Sequence, residues 1–221
     1  MWIEASDTEI QSYIDFGVIS PLDAFDIPEG KNIFGSRFVY KLKRNKDGSI
    51  DKYKARLVAQ GFSQVPGLDF NDTFAPVSSL VSVRLILCLA LHFGLTPKHV
   101  DVKCAFLNST IKEDVYLRLP KGFTIKGKAY GKVLKSVYGL RQAAHDWYET
   151  QHEFITKFDK RIKQSSVEPC LYYIIEDDLK VLISTHVDDY IICTDSDVWY
   201  KKFMKAFGTA FEIADLGTVV H

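Results

Sequence analysis

Two adjacent aspartates, Asp188 and Asp189, follow His186-Val187 between the apolar runs Lys180-Val181-Leu182-Ile183-Ser184-Thr185 and Tyr190-Ile191-Ile192-Cys193. Carboxylates this close repel, and one is driven toward protonation unless a positive charge sits between them. A hard divalent cation such as Mg²⁺ supplies that charge, takes carboxylate oxygens and keeps positions open for phosphate oxygens. A third aspartate, Asp101, ends the run Pro97-Lys98-His99-Val100. Three aspartates on neighbouring strand ends suit two-metal phosphoryl transfer, where one cation activates the attacking oxygen and the other steadies the leaving group. The competing reading of Asp188-Asp189 is a solvated turn.

The elements that must position these residues follow from periodicity. The apolar runs predict a hairpin over 180–193, and a strand over 97–103 delivers Asp101. Upstream, Phe34 to Arg44 alternates as a strand, Asn45-Lys46-Asp47-Gly48 reads as a tight turn, and Ser49 to Ala59 returns. Tyr53, Ala55, Leu57 and Ala59 share one face of the return strand, and Lys52, Lys54 and Arg56 the other. Residues 60–77 read as loop, with Gly61, Pro66, Gly67, Asn71 and Pro76. Ser78 or Ser79 caps a helix running to about Phe93, and Gly94 ends it. Further strands are predicted over 115–119 and 170–176, and Gly127 and Gly131 punctuate a loop before Val133-Leu134-Lys135. Further helices are predicted from Ser6-Asp7-Thr8-Glu9 onward, over about 140–158 and over about 196–207. This mixture predicts an α+β fold, an antiparallel sheet with helices packed on one face.

A chain of 221 residues suits one domain or two small ones. Its formal net charge is zero but unevenly spread. From Lys31 to Ser63 there are nine basic residues against two acidic; from Ser166 to Asp197 there are eight acidic against one basic. That asymmetry is compatible with a polyanion at one side and a metal at the other. Cys88, Cys104, Cys170 and Cys193 lie far apart in apolar runs, without zinc-ligand spacing, and read as reduced core thiols of an intracellular protein. Glu4, Asp7 and Glu9 interrupt any signal-peptide run, and Leu85 to Leu91 is too short to span a membrane. No membrane partner is expected, and cytoplasmic particle and nucleus are not distinguishable.

Five segments together resemble one family. Lys54-Ala55-Arg56-Leu57-Val58-Ala59-Gln60-Gly61-Phe62 resembles the fingers motif of copia-type retrotransposon reverse transcriptases, and Thr73-Phe74-Ala75-Pro76-Val77 follows it. Asp101-Val102-Lys103-Cys104-Ala105-Phe106-Leu107-Asn108 resembles the first catalytic motif. Tyr138-Gly139-Leu140-Arg141-Gln142-Ala143 with Trp147-Tyr148 resembles the nucleotide-contacting helix motif, and Val187-Asp188-Asp189 the metal-binding hairpin. Order and approximate spacing agree along nearly the whole chain.

The resemblance implies the reverse transcriptase part of a Pol polyprotein, an RNA-directed DNA polymerase acting on a primed RNA or DNA template with dNTPs and Mg²⁺ or Mn²⁺. It implies fingers over approximately 20–96 and a palm over approximately 97–221, with 122–148 contributing to their junction. Asp101, Asp188 and Asp189 are then the catalytic carboxylates and metal ligands, with the Val102 carbonyl as a further ligand. Lys54 and Arg56 would clamp the triphosphate, the fork and the point charge of one strand face. Phe106 would exclude a ribose 2′-hydroxyl, or else be a core phenylalanine. Gln142 would pack near sugar and base, or else be a helix-surface amide. Lys41, Lys43, Tyr138 and His186 would lie along nucleic acid, Tyr138 and Gly139 mainly shaping the helix entry. Trp147 reads as core. The sequence departs from the family at His186, where tyrosine is usual, and at Ala144-His145 in place of Pro-Arg. The chain is read as stopping before the thumb, which leaves a second reading open: a catalytically inactive truncated remnant that at most binds nucleic acid.

Overall fold

The computed structural model describes residues 1–219; the last two positions of the expected palm, 220 and 221, lie outside the described residues. In chain order the first elements are α1 (Trp2–Asp15), β1 (Ile19–Leu22), β2 (Ile33–Arg44), β3 (Ile50–Ala59) and α2 (Leu80–Phe93). Then come β4 (Lys98–Val102), β5 (Thr110–Arg118), β6 (Tyr130–Lys135) and α3 (Ala143–Phe158). The last are β7 (Lys163–Gln164), β8 (Leu171–Ile175), β9 (Lys180–His186), β10 (Asp189–Thr194), α4 (Asp197–Ala210) and β11 (Ile213–Thr218). The chain divides into two compact units, one from Met1–Phe74 with Phe106–Trp147, the other from Ala75–Ala105 with the residues from Tyr148 onward. Among the described residues, no helix is long and apolar enough to cross a membrane.

The first unit is built on a five-stranded sheet of order β1-β6-β5-β2-β3. Its β2–β3 hairpin turns at Asn45–Gly48, where the Gly48 N–H donates to the Asn45 carbonyl. α1 packs on the apolar face of this hairpin. Trp2 meets the Tyr40 and Tyr53 rings edge-on, and the Tyr13 hydroxyl donates to the Leu57 carbonyl at 2.9 Å. The helix starts earlier than its Ser6-Asp7 signal suggested, because Ser6 is buried inside it and turns its hydroxyl back to the Trp2 carbonyl.

The second unit holds a six-stranded antiparallel sheet of order β11-β4-β10-β9-β8-β7. Its helices cover both faces, which corrects the expectation of helices on one face only. Ile86 and Ala90 of α2 pack with Leu171, Leu182 and Cys193 on one side. On the other, Tyr190 meets Phe207 of α4 edge-on and hydrogen-bonds Gln151 of α3. The reason is in β9, whose Val181-Leu182-Ile183-Ser184-Thr185 run is buried without alternation, as a strand covered on both faces requires. Phe154 and Phe158 of α3 interlock with Trp199, Phe203 and Phe207 of α4. The Ser79 hydroxyl caps α2 by accepting from the Ser82 N–H, and Gly94 closes the helix in the left-handed region at φ 68°. Cys170 and Cys193 are buried, and burial lifts their thiols to about 11 and about 12. Cys88 is exposed and Cys104 half-buried, so the cysteines are not all core thiols as expected.

Candidate active site

The hairpin β9–β10 pairs His186 with Asp189, leaving Val187 and Asp188 as a two-residue turn. Val187 has φ 60° and Asp188 does not have a positive φ, the pattern of a type II′ turn, whose first position favours glycine. A β-branched residue there is strained, by about 1–3 kcal/mol. β10 also pairs with β4, with Asp189 opposite Asp101. The Val102 N–H donates to the Asp188 carbonyl at 2.8 Å, so Asp101 and Asp189 form a non-hydrogen-bonded pair. Side chains of such pairs approach most closely, with Cα atoms about 4.5 Å apart. Both carboxylates therefore stand on one sheet face, with Asp188 at the turn beside them. The same bond spends the Val102 N–H on the hairpin side of β4, and the Val102 carbonyl points to that side too.

His186 shares this face, and its Nδ1 lies 3.3 Å from the Ser78 carbonyl, to which it can donate. His99 also shares it, two residues before Asp101, and its Nε2 lies 2.8 Å from Asp189 Oδ1. The sequence reading missed His99, although the i, i+2 spacing to Asp101 was visible. Among the described residues, no three His, Cys, Asp or Glu side chains are already gathered as a metal site. The donor chemistry nonetheless suits a hard cation: carboxylate oxygens at Asp101, Asp188 and Asp189, with Asp101 and Asp189 in direct cross-strand register.

The first unit brings together another group. Lys41 lies opposite Lys54, Lys43 opposite Lys52, and Val39 opposite Arg56. With Arg37 on the same face, the register gathers six cations: Arg37, Lys41, Lys43, Lys52, Lys54 and Arg56. Like charges directly opposite each other destabilise a strand pair; Glu9 of α1 lies near Lys54 and Arg56, and Arg37, Lys41, Lys43 and Lys52 are exposed to solvent. The Arg56 guanidinium lies over the Tyr138 ring, 5.2 Å from its centre, and the Tyr138 ring meets Phe106 edge-on at 5.0 Å. The Arg56 Nε is buried and has no hydrogen-bond partner among the described residues. A buried donor left unmade costs about 1–3 kcal/mol, and more when it belongs to a charged group.

Tyr138 is held by a close meeting of two glycine-bearing segments. The Ala59 N–H donates to the Tyr138 carbonyl at 2.7 Å. A Cβ on Gly139, whose φ is 90°, would fall 2.2 Å from the Ala59 carbonyl oxygen. Gln142 is only 1% exposed, so it is no surface amide. Its amide nitrogen donates to the Asp69 carbonyl at 3.0 Å, and its oxygen accepts from Gln64 at 2.9 Å. Gln64 in turn accepts from the Arg141 N–H, closing a buried network around the 64–69 loop. His145, which stands where the family has arginine, places Nδ1 2.8 Å from the Phe74 carbonyl. Trp147 is buried.

The family described as "Reverse transcriptase (RNA-dependent DNA polymerase)" matches residues 21–221. The chain belongs to the reverse transcriptase family. Its relatives are Pol polyproteins of copia-type elements. The reverse transcriptase sequence here is 34% identical over 200 residues to the retrovirus-related Pol polyprotein from transposon TNT 1-94 of Nicotiana tabacum, covering 87% of this chain and 14% of that protein. It is 31% identical over 221 residues to the Pol polyprotein from transposon RE2 of Arabidopsis thaliana, covering 97% of this chain and 15% of that one. The truncated transposon Ty1-A Gag-Pol polyprotein of Saccharomyces cerevisiae is 30% identical over 196 residues, 86% of this chain and 15% of its own length. This reverse transcriptase sequence thus spans about one seventh of the relatives it matches.

Proposed function

We propose that this chain is the fingers and palm of an RNA-directed DNA polymerase that extends a primer on an RNA or DNA template. The observation that carries the reading is the Asp101–Asp189 strand pair with Asp188 in the adjoining turn, in a chain of the reverse transcriptase family. In the reaction a primer 3′-hydroxyl oxygen bonds to the α-phosphorus of a dNTP, the bond to the β-phosphate oxygen breaks, and pyrophosphate leaves. Asp101, Asp188 and Asp189, with the Val102 carbonyl, would hold divalent cations. When bound, Mg²⁺ or Mn²⁺ supplies charge to the attacking and leaving oxygens.

The remaining work belongs to side chains of the first unit. Arg56 and Lys54, on one face of β3, would supply the cations that a triphosphate needs. Stacking on Tyr138 holds the Arg56 fork in one plane, which favours two-point contact with phosphate. Phe106, braced edge-on by Tyr138, closes the space a ribose 2′-hydroxyl would need. Gln142 acts through the loop it holds and so positions the nucleotide side without touching it. Lys41 and Lys43 extend the cationic face along the nucleic-acid backbone, and His186 lines the hairpin. The fingers cover approximately 20–96 and the palm begins near 97, with 122–148 at the junction.

The test is Mg²⁺-dependent extension of a DNA primer on an RNA template by the purified chain, beside Asp188→Asn. Extension is expected in the parent and absent in the variant, with thermal unfolding unchanged. Extension by Asp188→Asn would remove the assigned roles.

The six-cation face favours a second reading, a nucleic-acid-binding remnant without polymerase activity. Binding by that face should weaken steeply with salt, because each neutralised phosphate releases counterions. Lys41→Gln with Lys43→Gln should flatten the log K against log salt slope by about two. Such binding without extension in the folded parent would decide for the remnant.

A further inference from the structure

The contact between His99 and Asp189 belongs to no role assigned above. Asp101 and Asp189 face each other across β4 and β10, and two carboxylates in a close strand pair repel. Left to itself, Asp189 would rotate away from Asp101 into solvent; its side chain is 49% exposed. His99 lies on the same face of β4, diagonally across from Asp189, because its own direct partner on β10 is Ile191. Diagonal neighbours stand about 7–8 Å apart, within reach of an aromatic side chain. On the other side of β4 the partner of His99 is Gly217, which has no side chain, so no group on β11 opposes the ring directly. The ring spans the diagonal, with Nε2 2.8 Å from Asp189 Oδ1. The bond needs only a proton on Nε2, and it leaves the second oxygen, Oδ2, for another partner.

We propose that His99 is a positioning residue for the cation site: by holding Oδ1 it fixes the rotamer of Asp189, leaving Oδ2 to the ion beside Asp101. Ligating carboxylates are themselves commonly oriented by a hydrogen bond from a neighbouring group, and losing that group typically costs 10–100-fold in metal affinity. The inference rests on the reading that Asp101, Asp188 and Asp189 hold the cation.

The test is Mn²⁺ binding to the full chain, followed by the loss of the free-ion electron paramagnetic resonance signal, without nucleotide or template. The proteins are the parent, Asp101→Asn, His99→Gln, His99→Asn and His99→Ala, each checked by circular dichroism. Asp101→Asn should lose most of the affinity. His99→Ala should bind about 10–100-fold more weakly. Glutamine keeps a donor that can reach and should recover much of the loss, whereas the shorter asparagine should not. A merely structural role for His99 would lower the unfolding temperature and leave Mn²⁺ affinity unchanged. Parent-like binding by His99→Ala, beside a defective Asp101→Asn, overturns the inference and leaves the metal reading standing. Tighter binding by His99→Ala also overturns it, since His99 would then hold Asp189 away from the ion. If His99→Ala does not fold, equal affinities of the glutamine and asparagine variants overturn it. A parent that binds no Mn²⁺, or an Asp101→Asn that binds like the parent, removes the metal reading and the inference together.

Discussion

Val187 shows how a single residue can be chosen against its own backbone. It takes φ 60° in a two-residue turn, and a branched side chain there costs about 1–3 kcal/mol. Glycine would remove that strain, but it would add about 0.5–1 kcal/mol of chain entropy lost on folding. Val187→Gly is therefore expected to be neutral to about 2 kcal/mol stabilising by thermal or urea unfolding, while primer extension falls as the turn loosens around Asp188. A markedly destabilised Val187→Gly would show that valine contacts, and not the turn conformation, decide the choice. Arg56 carries the same lesson in its side chain: a buried, unmade Nε donor is a cost to folding.

At the scale of elements, the decisive contact is between the end of β3 and the segment that leads into α3. Ala59 donates to Tyr138, and Gly139 passes so close that a Cβ would lie 2.6 Å from the Val58 side chain as well as against the Ala59 carbonyl. Gly139 also needs its positive φ. Gly139→Ala should therefore overpack and strain this crossing together, destabilising by about 2–4 kcal/mol. In a chain of this size that is a fall of roughly 4–15 °C in Tm. The same variant should shift the Tyr138 ring from under Arg56, visible as weaker dNTP binding. An unchanged Tm would mean the two segments separate freely. The strand register of β2 and β3 belongs to this scale too. It converts six cations scattered through 37–56 into one face, four of them exposed.

Across the whole molecule, charge and stability are divided between the units. The first carries seventeen Lys and Arg against fourteen Asp and Glu; the second carries eleven against fourteen. The second unit also has an identifiable acid-sensitive tie. Asp159 accepts from the Arg161 guanidinium at 2.8 Å and from the Trp199 indole at 3.1 Å, joining the end of α3 to α4. The Arg161 side chain holds the Asp159 carboxyl down at about 2, below its ordinary 3.8. A depressed folded-state value means the contribution is fully present above 3.8 and is lost as pH falls toward about 2. Asp159→Asn should lower Tm at neutral pH and flatten the loss of Tm between pH 4 and 2. An acid limb as steep as the parent's would show that other carboxylates control it.

The α+β class, most strands and helices, and the Asp101, Asp188 and Asp189 positions were legible in the sequence. They rest on local rules: alternation in 34–59, the Ser79 and Gly94 caps, and an apolar hairpin ending in carboxylates. β1, β6, β7 and β11 were not legible, because strands of marginal pattern form only when a neighbouring edge offers its backbone groups. Nor was the covering of the second sheet on both faces, since a continuous apolar run says that a strand is buried without saying which helix buries each side. Gln142 was assigned by family motif, but only packing shows its amide spent inside a buried network. The pairing of Asp101 with Asp189, the stacking of Arg56 on Tyr138 and the reach of His99 to Asp189 join residues distant in sequence. Sequence by itself determined which chemistry-bearing residues the chain owns. Strand register and packing decided which of them meet, because contacts between distant segments depend on the whole set of neighbours that folding brings together.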